Sequence, residues 1–258
     1  MRIAVLSRNF ASTGGGAERY SIAVVEGLAE KHEVHVFAQN IEHNFSGVVY
    51  HRIPTLIKRP RWVNQLHFAF ATWRATREGF DIVHSHENTW HGNVQTVHVL
   101  PIKHTLFAGK TGFSLAMRWL KVVTSPRLLT YLWLEKKRYE LKTKRAIVAT
   151  SNSLKNVLLA AYPHAQSAIK VIAPGISAVV GWCGPVEQHA ARTLLGLPES
   201  GKGLLFVGND FRKKGLHTLL EAMAQWPDDV WLTIVGRSDP AQFDVVQQRV
   251  KVLGIGNR

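Results

Sequence analysis

Cysteine is nearly absent: Cys183 is the only one in 258 residues. A single thiol cannot build an intrachain disulfide framework, and such usage fits a reducing compartment. No apolar run approaches the roughly 18–20 residues that a helix needs to span a bilayer. The N-terminus, MRIAVLSRNF, offers four consecutive apolar residues, Ile3 to Leu6, before Ser7 and Arg8. That is too short for the apolar stretch of a secretory leader. Acidic residues are scarce, 18 against 32 lysines and arginines, which leaves a formal charge of +14. These deficits predict a cytoplasmic, basic protein with an anionic partner. Apolar residues make up 46% of the chain, which excludes disorder and supports a packed core.

The positive charge is concentrated. Between Pro101 and Arg145 eleven basic residues face only Glu135 and Glu140. A smaller acid-free cluster comprises Arg52, Lys58, Arg59 and Arg61.

Short apolar runs alternate with helical patterns. Arg2–Ser7, Glu33–Ala38, Val48–Ile53, Asp81–Ser85, Val94–Val99, Ala146–Thr150 and Ile169–Ala173 read as strands. Ala17–Lys31, Trp62–Glu78, Arg127–Lys142 and Asn152–Ala161 read as helices, the last ended before Pro163. This alternation predicts a parallel sheet covered on both faces. Residues 175–203 are rich in Gly, Pro and Ser, with one short helix around Val186–Leu195. A second alternation then begins: strands at Leu204–Val207 and Val230–Val235, helices at Leu216–Trp226 and Gln242–Leu253. No internal repeat is visible.

Three segments carry possible chemistry. Gly14, Gly15 and Gly16 lie between the first strand and the first helix. The positive end of that helix, roughly half a charge, and free backbone N–H groups favour an anion there. His98 ends a strand, where reacting groups collect in such sheets, and its ordinary titration range lets it exchange protons near neutral pH. In FVGNDFRKKGL, residues 206–216, a strand runs into Gly208, then Arg212, Lys213 and Lys214, then a glycine opening a helix. Charge-assisted contacts from such cations, about 1.5–3 kcal/mol each, suit a diphosphate. Two look-alikes fail. AGKT at 108–111 has His104 where a phosphate loop needs its first glycine, and HENTWH at 86–91 is one residue too long for the zinc motif HExxH. No metal site is expected.

These residues together resemble the retaining glycosyltransferases of family four, which have the GT-B fold. GGAER at 15–19 resembles the family's first-loop GGxER, and DIVHSH at 81–86 its DIVHxH strand. TVH at 96–98 matches TxH, and VIAPGI at 171–176 is similar to the interdomain VIPNGI. RTLLGLP at 192–198 matches RxxLGLP, and TIVG at 233–236 is similar to LxIVG. The loop at 205–215 is most similar to glucosyltransferases of the lipopolysaccharide core. The resemblance implies an α/β architecture with residues 1–174 as an acceptor-side Rossmann-like domain. Residues 175–203 would be the hinge, and 204–258 the start of a nucleotide-sugar-binding domain. Gly15, Gly16, Gly208, Arg212, Lys213 and Lys214 would then bind the donor, a nucleotide-sugar such as a UDP-sugar. His98 would act at the reacting centre, and no cofactor or metal is implied.

The family's paired-glutamate motif lies beyond the last residue of this chain. The expectation is therefore a fragment or truncated product with impaired turnover. The acceptor implied is a glycolipid or cell-envelope glycan, as in lipopolysaccharide biosynthesis. Arg127, Trp133, Lys136, Lys137 and Arg138 are expected to contact the anionic inner face of the cytoplasmic membrane, with the apolar side of their helix entering the headgroup zone. Nucleic acid is not an expected partner. The alternatives are a nucleotide-sugar epimerase on the same fold and a non-catalytic membrane- or partner-binding remnant.

Overall fold

The first two strands show how the sheet is built. In the computed structural model β1 (Arg2–Leu6) lies between two parallel neighbours, β3 (Glu33–Ala38) and β6 (Ile82–Ser85). Side chains alternate across a strand, so Ile3 and Val5 face one side while Ala4 and Leu6 face the other. The first pair packs with Ile22 and Val25 of helix α1 (Gly16–Ala29). The second packs with Phe68 of helix α2 (Arg61–Thr76). Both faces are covered, as the continuous apolar run requires.

The structure describes residues 1–13, 15–175, 184–236 and 240–257. Gly14, Ile176 and Cys183 lie outside the described residues. The chain divides into two units, Met1–Ile176 and Ser177–Arg258.

In the first unit the remaining elements are β2 (Asn9–Ala11), β4 (Asn40–Glu42), β5 (Val48–Arg52), β7 (Val94–Val97) and α3 (Ile102–Phe107). They are followed by α4 (Gly112–Val123), α5 (Pro126–Tyr139), β8 (Ala146–Ala149), α6 (Asn152–Ala161), a 3-10 turn (Pro163–Ala168) and β9 (Ile169–Val171). The seven-stranded parallel sheet has the order β5-β3-β1-β6-β7-β8-β9, and β2 pairs with β4 apart from it. The chain winds outward from β1 to β5 and returns beside β1 at β6. Their junction is the topological switch point, where the carboxyl ends of the strands open a crevice. A second core lies under α6, whose Leu154 and Leu158, four residues apart, pack on Ile147 and Ala149. Ser151 caps α6 by accepting from the Leu154 N–H at 3.1 Å, worth about 1 kcal/mol.

The sequence predicts one helix between Pro101 and Arg145; the structure has three. Helix α4 buries only Val122, although Phe113, Met117 and Leu120 stand at helical spacing along it. Helix α5 corrects the membrane expectation. Its apolar side faces the protein: Leu128 joins Leu106 and Val122 in a small core, and Tyr139 stacks against Tyr162 with ring centroids 4.7 Å apart. Arg138 sits on that inner side, 5% exposed, and cannot contact a membrane. Arg127, Trp133 and Lys136 are exposed, while Lys137 is half-buried and paired with Glu140 at 3.1 Å. Among the described residues no helix is long and apolar enough to cross a membrane.

The second unit comprises α7 (Pro185–Leu194), β10 (Lys202–Val207), α8 (Leu216–Met223), β11 (Val230–Val235) and α9 (Pro240–Val252). Strands β10 and β11 pair in parallel. Phe206, Phe211, Leu216, Leu220, Met223 and Val246 form its core. The strand ends approach so closely that a Cβ at Gly236 would stand 2.0 Å from the Gly208 carbonyl oxygen. Only glycine fits there.

Candidate functional site

At the switch point Arg8 follows β1 and Glu87 follows β6. The Arg8 N–H and Nε donate to the two Glu87 carboxylate oxygens at 3.0 and 2.9 Å. This pair ties the two strand ends together at the mouth of a cavity of about 350 Å³. The cavity is lined by Arg8, Ala17, His86, His98, Glu135 and Arg138 among others.

The histidines form a stack. His84 Nε2 lies 2.7 Å from the Thr96 hydroxyl, inside the sheet. Its ring is 4.4 Å from that of His86. His86 Nδ1 then meets His98 Nε2 at 3.0 Å. Tyr20 of α1 turns its ring edge toward His98 at 5.1 Å. Burial pushes all three imidazoles down, His84 to about 4. The charge of Arg138 depresses each of them further. Losing hydration and facing a cation both disfavour the imidazolium, so the stack is neutral at pH 7.

A neutral imidazole has one N–H and one acceptor nitrogen. His86 Nε2 is sealed from solvent and has no partner. If it carried the proton, a donor would be stranded. The network therefore assigns the proton to His86 Nδ1, which donates to His98 Nε2. His98 then carries its own proton on Nδ1. Among the described residues that nitrogen has no hydrogen-bond partner, and it is not among the sealed atoms, so it is open to a ligand.

Gly15 is the N-cap of α1 and Gly16 its first residue, and no side chain caps the helix. A Cβ at Gly16 would meet nothing within 4 Å. A Cβ at Gly15 would stand 3.1 Å from Glu18 Oε2, and Ala17 of the same turn lines the cavity that holds His98. Glu18 in that turn tempers the positive end of the helix.

Gly208, Arg212, Lys213 and Lys214 belong to the second unit, between β10 and α8. Gly215 opens α8 in the left-handed region, φ 80°, which glycine adopts without strain. Lys213 Nζ pairs with Asp210 at 2.8 Å, and that contact holds the Asp210 carboxyl below its ordinary range. Arg212 and Lys213 line a cavity of about 800 Å³ with His217 and Gln242. Lys214 lies elsewhere in the loop, its stem over Gly208, where a Cβ would stand 3.0 Å from Lys214 Cγ. Among the described residues no three His, Cys, Asp or Glu side chains gather as metal ligands do.

Sequence reasoning singled out His98 and missed the rest of the stack. The failed zinc motif at 86–91 contains His86 but not His84, and the i, i+2 spacing of His84 and His86 at a strand end places them on one face. Arg138 was counted as a surface cation. Its position four residues after Leu134, which is fully buried, is the signal that puts it on the inner side of α5.

A family model described as Glycosyltransferase Family 4 matches residues 14–179. The solved structure of WaaG, a glycosyltransferase involved in lipopolysaccharide biosynthesis, matches with a TM-score of 0.79 at 19% identity, covering 98% of this chain and 67% of that one. Sucrose-phosphate synthase from Thermosynechococcus elongatus matches at 0.69 and 21% identity, covering 100% and 69%. HepE from Anabaena, in complex with UDP and glucose, matches at 0.68 and 17% identity, covering 100% and 68%. A search of curated proteins returned no match. At these identities the structural likeness speaks for the fold.

Proposed function

The chain belongs to glycosyltransferase family 4, and from that premise we propose that it transfers a hexosyl group from a nucleotide-sugar to a glycolipid or cell-envelope glycan, with retention at the anomeric carbon. The observation that carries this reading is the convergence of His98, Arg8 and the first turn of α1 on one cavity at the switch point of the sheet. The β10–α8 loop supplies cations for the donor diphosphate.

In the proposed reaction the acceptor hydroxyl oxygen bonds to the anomeric carbon from the side the diphosphate leaves. The carbon–oxygen bond to phosphate breaks with its electron pair going to the phosphate. The hydroxyl proton passes to a departing phosphate oxygen. Charge builds on the diphosphate in the transition state, and Arg212 and Lys214 would oppose it. Fixed cations do this work without a metal ion. The N–H groups at Gly15 and Gly16 and the His98 Nδ1–H would hydrogen-bond the transferring sugar and the diphosphate. Neutral His98 suits a donor role that is constant above pH 6.5.

The acceptor calls for a surface. Helix α4 exposes Phe113 (81%), Met117 (49%) and Leu120 (55%) at helical spacing, beside Lys110, Arg118 and Lys121. No acidic residue occurs from Lys110 to Leu134. We propose that this face, and not the apolar side of α5, rests on an anionic leaflet at the inner face of the cytoplasmic membrane. Arg127, Trp133 and Lys136 would extend it.

The test is a single-turnover assay with protein in excess over labelled UDP-glucose, which detects slow chemistry. Anionic vesicles carrying a glycolipid acceptor are present, and the product is read by NMR. An α-linked product supports the reading. A β-linked product would remove retention, and no product with UDP-, GDP- or ADP-sugars would remove the activity.

A further inference from the structure

Arg138 is a buried charge at the switch-point cavity that no carboxylate answers among the described residues. Arg8 and Glu135, which line the same cavity, show what an answer looks like. Arg8 is paired with Glu87. Glu135 accepts from the N–H groups of Ile102 and Lys103 and from the Tyr162 hydroxyl. Arg138 instead meets two neutral oxygens, Gln95 Oε1 at 3.1 Å and the Thr96 carbonyl. No carboxylate lies within ion-pair distance of it among the described residues, and its Nη1 has no hydrogen-bond partner there. The residue is 5% exposed.

Burying a cation without a counter-charge costs several kcal/mol. A fold keeps such a group when something else supplies the charge. Arg138 lines the cavity with His98 and the sealed, unpartnered His86 Nε2. The cavity falls within the volume range of small-molecule sites. Val99 and Leu100 add exposed apolar lining beside the Arg8–Glu87 pair. A guanidinium offers parallel N–H donors that match a phosphate or carboxylate.

We infer that this cavity reads an anionic substituent of the acceptor, a phosphate monoester or a carboxylate, through Arg138. The inference rests on the glycosyltransferase reading and narrows it: the acceptor is a charged sugar rather than a neutral one. Arg138 touches the substituent, not the reacting bond, and so sets which acceptor binds and in what register. An anion on Arg138 would also lie beside the neutral histidine stack, joining acceptor recognition to the placement of His98.

The test uses the full chain with ¹³C-labelled histidine, reading the His98 ring resonance, which reports on this cavity and not on the second unit. Glucose 6-phosphate, glucuronate and methyl glucoside are titrated in turn. The expected result is a saturable shift for a charged sugar at about tenfold or more lower concentration than for methyl glucoside, the factor that one charge-assisted contact supplies. A response to the phosphate alone or to the carboxylate alone supports the inference and identifies the group. Arg138→Gln should erase the preference. Leu100→Trp, which narrows the mouth and leaves Arg138 and its bonds in place, should weaken charged-sugar binding about tenfold at unchanged Tm. Equal response to charged and neutral sugars, no saturable response at all, or full preference in both variants would overturn it. UDP-glucose binding, measured separately by calorimetry, tells failure of this inference from failure of the transferase reading.

Discussion

His86 Nδ1 lies 3.0 Å from His98 Nε2, and the two rings stack with planes 12° apart. One strand end thereby fixes the tautomer of a residue on the next. The relay turns a histidine at the end of β7 into a donor aimed at whatever occupies the cavity.

Replacing His98 by Ala should lower the single-turnover rate by about 10²–10³, the usual effect of removing one preorganised donor. UDP-glucose affinity should change less, because the diphosphate cations lie in the second unit. Rate and affinity are measured separately by quench and calorimetry. Equal losses in both would assign His98 to donor binding alone.

The rate should stay level from pH 8 to 6.5 and fall as the medium becomes more acid. His98 is held below its ordinary range by burial and by Arg138, so the neutral donor form still prevails at about pH 6.5, the ordinary midpoint of a histidine, and is lost only in more acid medium. A rate that rises on acidification would indicate an imidazolium.

Stability should also fall in acid. His84 has its folded value pushed down to about 4. Between about 4 and 6.5 the unfolded chain binds a proton that the folded chain refuses, so stability is lost as pH falls through that window. The loss from this residue is about 3 kcal/mol once pH 4 is reached. Urea midpoints for wild type and His84→Gln should converge as pH drops from 7 to 4. Parallel curves would show that His84 does not couple to folding.

Exchanging Lys110, Arg118 and Lys121 for Gln should weaken binding to anionic vesicles about 10²-fold, from about 1 kcal/mol per cation. Phe113→Ser should weaken it independently of salt. Lys136→Gln alone should do little. Vesicle co-sedimentation decides, and unchanged binding in the triple variant would move the contact off α4.

Leu158→Ala should cost about 2–5 kcal/mol, because Leu158 is fully buried between α6 and the sheet and little can collapse into its place. Urea denaturation measures it.

The strands were legible because β1 and β8 carry continuous apolar runs, which parallel sheets demand, and because β3 alternates through Glu33 and His35. The three-residue pair β2 and β4 carries no such signal. Helix α1 was legible from its buried face and its glycines. Helix α4 carries Phe113, Met117 and Leu120 at helical spacing, but the rule that apolar means inside gives the wrong direction for that face, which is exposed. For the site, the chain order of motifs pointed to His98. The run Lys136–Lys137–Arg138 read as one solvated patch, although a helix turns about 100° per residue and divides it between surface and core. A strand-end histidine is visible in sequence; the partner that orients it comes from the next strand, and only the sheet register brings the two together.

The central claim is that the chain binds a nucleotide-sugar through the loop between β10 and α8. Calorimetric titration of UDP-glucose into the full chain, with EDTA present, tests it most directly. The account predicts one saturable site, weakened about tenfold or more by Arg212→Ala or Lys214→Ala, and less by Lys213→Ala because Asp210 already holds that ammonium. Absence of saturable binding by UDP-, GDP- and ADP-sugars, or binding indifferent to Arg212 and Lys214, would contradict it.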